Sequence, residues 1–176
     1  AMNSDRYIIG VSQGGIGLDP EYYTHPNEQQ KAVLAAYKSM NNDMFKMTGN
    51  DAATAKKKME AAFSIENQIA KVSYDQVKSR DPQANYHPMT WDQFVKSYPG
   101  VDWNYLLKAS GYPNNGGKVD VGQPEPVHEV EKILATAPLD ALKAYMELAV
   151  ISSSAGMLSD NFTDRNFEYK KVAYGV

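Results

Sequence analysis

The sequence predicts a mainly α fold, a multi-helix domain with one short N-terminal β-strand, on three observations. After Thr24, apolar residues recur at intervals of three and four over most of the chain, the period of a helix face. Helix-start chemistry is repeated, with Asp51, Thr90, Asp102 and Ser159 each standing just before such a stretch. Only Arg6-Tyr7-Ile8-Ile9-Gly10-Val11 concentrates aromatic and β-branched residues and then runs into glycines, as a strand entering a turn does. About seven helices are expected, counting short ones, in a single domain of residues 1–176.

The strand leads into Gln13-Gly14-Gly15-Ile16-Gly17-Leu18, which supplies positive-φ positions, and Asp19-Pro20 then enforces an extended or turn step. The first long helix carries Val33, Leu34, Tyr37, Met40, Met44 and Met47 on one face, with Pro26 suited to its first turn and Gly49 to its end. A second is capped by Asp51 and turns Ala55, Met59, Ala62, Phe63, Ile69 and Ala70 inward. Glu66 falls on that inward face, so it needs a hydrogen-bond donor and is expected to be at least half buried. Lys78 to Pro88 reads as a crossing loop. Thr90 and Gln93 then form a capping box, with Met89 stapled to Phe94. Past Tyr98-Pro99-Gly100 the device repeats, with Asp102 as cap and Val101 stapled to Leu106. Pro113-Asn114-Asn115-Gly116-Gly117 has the composition of a loose loop, and Val119 and Val121 allow a brief extended stretch. A helix from Pro124 should bury Val127, Val130, Ile133 and Leu134. The next, from Pro138, should bury Leu142, Tyr145, Met146, Ala149 and Val150. Small residues Ser152 to Gly156 suit close packing, and Leu158-Ser159-Asp160 opens a last helix with Phe162, Tyr169 and Ala173 that closes at Gly175. The expected core is Leu34, Tyr37, Phe63, Ile69, Trp91, Phe94, Trp103, Leu106, Leu142, Met146 and Phe162.

Composition excludes several classes. The 176 residues are 43 % hydrophobic and 22 % charged, ordinary values for a globule with a proper core. No apolar run approaches the roughly 20 residues of a membrane span. A net charge of −3 without a basic stripe argues against nucleic acid as a partner. Cysteine is absent, which removes disulfides and thiolate chemistry. The start Ala1-Met2-Asn3-Ser4 has no targeting character and reads as a cloning scar, so the chain is expected to be an excised piece of a longer one.

Known signatures of chemistry fail on inspection. His128-Glu129-Val130-Glu131-Lys132 imitates the zinc-binding His-Glu-x-x-His helix, but lysine stands where the second histidine ligand is required. His25 and His87 are distant in sequence. There is no Gly-x-Ser-x-Gly elbow, and Gly14-Gly15-Ile16-Gly17 lacks the lysine and spacing of a phosphate loop. No residue is assigned a catalytic, cofactor-binding or metal-binding role.

The segment Gln13-Gly14-Gly15-Ile16-Gly17-Leu18 with Tyr22-Tyr23 resembles the corresponding motif of the neprilysin-like (M13) zinc metallopeptidases. The likeness continues in the family's order through Ile65-Glu66 with Ile69-Ala70, Asp81-Pro82, Tyr86, Met89-Thr90, Asp102-Trp103, and Phe167 to Tyr174-Gly175. The resemblance implies an interior part of the family's N-terminal, non-catalytic domain, of bacterial type because of the missing cysteines, and extracytoplasmic. It implies a zinc metalloendopeptidase acting on oligopeptides, in which this part forms the substrate-cavity wall and size filter. Zinc and the catalytic domain would then lie elsewhere in the parent chain. The rival expectation is a stand-alone helical binding or scaffold module; the lack of any catalytic motif argues against an enzyme complete within these residues. In the family the first strand pairs with one just upstream, so residues 6–11 are expected to be orphaned here and to drive artefactual self-association.

Overall fold

The computed structural model describes residues 8–112 and 117–175. Ala1 to Tyr7 and Pro113 to Gly116, which include the expected cloning scar, the first residues of the strand and most of the loose loop, lie outside the described residues. Within the described residues the fold is mainly α, with eight α-helices and a small three-stranded sheet. The chain falls into two compact units. One comprises residues up to Gly15 with Val72–Thr136; the other comprises Ile16–Lys71 and Ala137–Val176.

The first unit holds the sheet, β1 (Ile9–Val11), β2 (Pro88–Thr90) and β3 (Lys118–Val121), with helices α4 (Trp91–Ser97), α5 (Trp103–Ala109) and α6 (Pro124–Thr136). The order is β1-β3-β2, so the extended stretch foreseen at Val119 and Val121 is the central strand. The expectation of one strand is therefore corrected to three. β3 lies parallel to β1, Gly10 opposite Asp120, and antiparallel to β2, Met89 opposite Val119. Val119 and Val121 alternate with polar residues and are fully buried, which a two-sided ladder makes possible. The expected orphan strand is thus overturned: β1 is paired inside its own chain. The ladder extends past it, where the Gly122 N–H donates to the Val11 carbonyl at 2.8 Å.

Below the sheet, Phe94 anchors an aromatic cluster, its ring centroid 5.4 Å from Trp91, 5.1 Å from Tyr98 and 4.8 Å from Trp103. The Thr90–Gln93 capping box forms as expected, and Asp102 caps α5 by accepting from the Tyr105 N–H at 2.9 Å. The expected Val101–Leu106 staple does not: Leu106 is exposed and Leu107 packs on the core instead. On α6 Val127 and Ile133 are buried and Val130 partly buried as expected, with one exception. Leu134 is exposed, while Glu131 is buried with its Oε1 accepting from the Gly100 N–H at 2.8 Å. A charged residue took an inward position because a backbone donor was waiting for it.

The second unit contains α1 (Pro20–Thr24), α2 (Glu28–Met47), α3 (Ala52–Val72, its last residue belonging to the first unit), α7 (Leu139–Ser154) and α8 (Asp160–Tyr174). α2 starts two residues later than Pro26 suggested, because Asn27 and Gln30 form a reciprocal capping box and Pro26 precedes the cap. Asp51 caps α3 by accepting from the Thr54 N–H at 2.8 Å. The core joins Val33, Tyr37, Met40, Met44 and Phe45 to Ala55, Met59 and Ala62, to Ala144, Leu148 and Ile151, and to Phe162 and Tyr169. Of the expected core, Tyr37, Ile69, Trp91, Phe94 and Phe162 are buried and Leu34, Phe63, Trp103 and Leu142 are partly buried. On α7 Tyr145 packs against the core and Leu142 is partly buried, but Met146, Ala149 and Val150 are exposed, and Ala144, Leu148 and Ile151 face inward instead.

Candidate functional site

The sequence drew attention to Glu66, and the second unit is built around it. Tyr23 on α1 donates to its Oε2 and Tyr37 on α2 to its Oε1, both at 2.7 Å. The Tyr23 hydroxyl in turn accepts from the backbone N–H groups of Gly17 at 3.2 Å and Leu18 at 3.3 Å. One carboxyl group thereby fixes two helices and the glycine-rich corner to α3. Glu66 is 5 % exposed. Burial pushes its carboxyl above the ordinary glutamate value, and the two phenols, with the Gly17 amide, pull it back down. Both phenols are pushed up, first by their own burial and then by the carboxyl charge. Gly17 is required for closeness rather than for a special φ: a Cβ there would collide with the hydroxyl end of Tyr37. Tyr23 also stacks on Phe63, centroids 5.6 Å apart. Both carboxyl oxygens are engaged by side chains of the protein, an arrangement suited to anchoring.

In the first unit Gln13 plays a similar joining role. Its side chain pairs with both backbone groups of Tyr74, donating from Nε2 to the carbonyl at 3.0 Å and accepting at Oε1 from the N–H at 2.7 Å. Its own N–H donates to Gln123 Oε1 at 2.7 Å, and Gln123 donates onward to Asn85. Tyr74 donates to Glu125 at 2.6 Å under the ammonium of Lys78, 3.5 Å from the ring centre. That hydroxyl holds the Glu125 carboxyl below its usual range, and burial beside Glu125 raises Tyr74 to about 12. A cleft of about 120 Å³ opens nearby between Val11, Gly14, Trp103, Pro126, Val130 and Glu131. It is well below the roughly 300 Å³ at which small-molecule pockets begin.

The histidines do not converge. His25 ends α1, and His87 has its Nδ1 2.8 Å from the Val121 carbonyl. His128 stacks on Tyr98 at 4.4 Å, while Glu129 faces Lys132 at 3.5 Å, the position where a zinc helix carries histidine. Among the described residues no three His, Asp or Glu side chains gather as a metal set. What sequence reasoning missed was the partnership itself. The Tyr22-Tyr23 pair was visible, but not which ring would reach Glu66; Tyr37 was read only as core.

Comparison with known proteins agrees with this architecture. The family model for the N-terminal part of peptidase family M13 matches residues 1–176. Endothelin-converting enzyme 1 of Cavia porcellus is 27 % identical over 181 residues, covering 100 % of this chain and 24 % of the relative. Neprilysin-2 of Drosophila melanogaster is 26 % identical over 178 residues, covering 99 % of this chain and 23 % of the relative. The chain thus spans about a quarter of the length of these relatives. Among solved structures, the open state of the Mycobacterium tuberculosis zinc metalloprotease Zmp1 superposes with a TM-score of 0.88 at 28 % identity, over 97 % of this chain and 26 % of that one. PepO from Lactobacillus rhamnosis has the same fold, with a TM-score of 0.76 at 19 % identity over 92 % of this chain and 26 % of its own.

Proposed function

Because the chain belongs to peptidase family M13, we propose that it is a non-catalytic part of a zinc metalloendopeptidase that hydrolyses oligopeptides. It forms wall and size filter of the substrate cavity, and the zinc-bearing catalytic domain is supplied by the rest of the parent polypeptide. The observation that carries this is the match of residues 1–176 to the family's N-terminal part, with the partners of Glu66 and the lysine at position 132 in support. Glu66 is saturated by two phenols and the His128 helix is spoiled by Lys132. The similarity to Zmp1, a zinc metalloprotease by name, supports zinc in the parent. We infer a bacterial parent from the absence of cysteine and the likeness to the mycobacterial enzyme, and an extracytoplasmic one from the resemblance to the family alone. No described helix is long and apolar enough to cross a membrane.

The test is peptide hydrolysis by the full polypeptide and by the 176-residue chain, each with zinc and with a chelator. Chelator-sensitive cleavage of short peptides by the full polypeptide alone, with large folded proteins spared, is the expected result. Zinc-dependent turnover by the 176-residue chain would overturn the non-catalytic assignment. A full polypeptide that cleaves nothing would favour a helical binding or scaffold module.

A further inference from the structure

Helix α7 is apolar on two opposite faces. Ala144, Leu148 and Ile151 face the core of their own unit and are buried. On the other side Leu139, Leu142, Met146, Ala149 and Ser153 repeat at three and four, the spacing of a helix–helix seam, with Val150 beside it and Met157 just beyond. Leu139, Met146 and Val150 are 64 %, 60 % and 62 % exposed, and Met157 is 83 % exposed. A surface helix ordinarily turns one apolar stripe to its core and a polar face to solvent, so the second stripe is in excess of what this unit covers. Scattered surface apolar residues need no explanation, but a continuous stripe in heptad register does.

We propose that this stripe is the seat of a second helix from the parent polypeptide, lying outside these 176 residues, a proposal that rests on the peptidase reading above. Three features select that occupant. The seam repeats at helical, not strand, spacing, and its small residues Ala149 and Ser153 allow close approach of a helix backbone. Relatives of this chain are about four times its length, which supplies candidate helices in the same polypeptide. The flanking positions Lys143, Tyr145, Val150 and Ser152 carry a lysine and no acid, so within those rows a second copy of this face offers Lys143 no partner, Asp140 lying outside them. A different helix bearing Asp or Glu opposite Lys143 does. Glu147 on the neighbouring surface is already held by Lys58 within the unit, at 2.8 Å.

The chain has no cysteine, so single thiols report directly on the face. Met146→Cys, Val150→Cys and, as an exposed control on α3, Lys57→Cys are labelled with a maleimide in the 176-residue chain and in the full polypeptide. Labelling at 146 and 150 should match the control in the short chain and slow by at least about ten-fold in the full polypeptide. The double variant M146K/V150K should leave the melting temperature of the short chain unchanged and lower that of the full polypeptide by about 3 °C or more. Free labelling of both cysteines in the full polypeptide overturns the proposal. So does protection in the short chain that grows with concentration, since it assigns the face to a second copy. Peptide hydrolysis is scored on the same samples: protection without hydrolysis supports the helix seat while refuting the peptidase reading, and hydrolysis with free labelling does the reverse.

Discussion

Glu66 illustrates how a buried charge becomes a joint. An ionised carboxylate on an apolar helix face is too costly to persist alone, and here two phenols bring it hydrogen bonds at 2.7 Å. Its folded-state pKa is raised by burial, so the folded chain binds the proton more tightly than the unfolded one. The stability this group contributes is therefore complete below the ordinary glutamate value of 4.5 and is lost as pH rises through the raised value. Glu66→Gln, which cannot ionise, should cost about 1 kcal/mol at acid pH, with the deficit shrinking as pH rises. Urea midpoints measured from about pH 4 to 8 check this, and a deficit constant with pH would contradict it. Glu66→Leu strands two phenol hydroxyls and should cost about 3 kcal/mol. Gly17→Ala should lose about 1–3 kcal/mol by driving Tyr37 from its seat, visible as loss of the near-ultraviolet tyrosine signal together with the lowered midpoint.

At the scale of the element, α7 sets the sharpest contrast between pattern and packing. Leu148→Ala removes a side chain from the core and should cost about 2–5 kcal/mol in this chain, while Met146→Ala should stay within about 0.5 kcal/mol. Thermal melts of the two variants side by side decide between the observed phase and the one periodicity suggested. The start of α4 was legible in full: Thr90 and Gln93 satisfy each other's backbone donors, and Thr90→Ala should cost about 1 kcal/mol. Caps are readable because both partners lie within four residues. The inward phase of α5, α6 and α7 was less so, since each helix has more than one apolar stripe and only its neighbours choose between them.

For the whole molecule, the decisive contact is between distant segments that no local rule connects. β1 and β3 pair across more than a hundred residues, so the first unit cannot close until both have been made. Removing residues 1–11 should abolish amide-exchange protection at 118–121 while leaving α2 protected, which exchange measured by mass spectrometry resolves directly. The sequence by itself determined the helical class, the long helices α2 and α3, the caps at Asp51, Thr90 and Asp102, the burial of Glu66 and the family whose motifs run through the chain. All of these depend on residues near one another or on side-chain chemistry that allows few alternatives. Tertiary structure alone decided that Val119 and Val121 form a central strand, that Tyr23 and Tyr37 share Glu66, and that Glu131 rather than Leu134 turns inward to meet Gly100. Hydrogen-bond partners distant in sequence leave no periodic trace, so only the folded chain could name them.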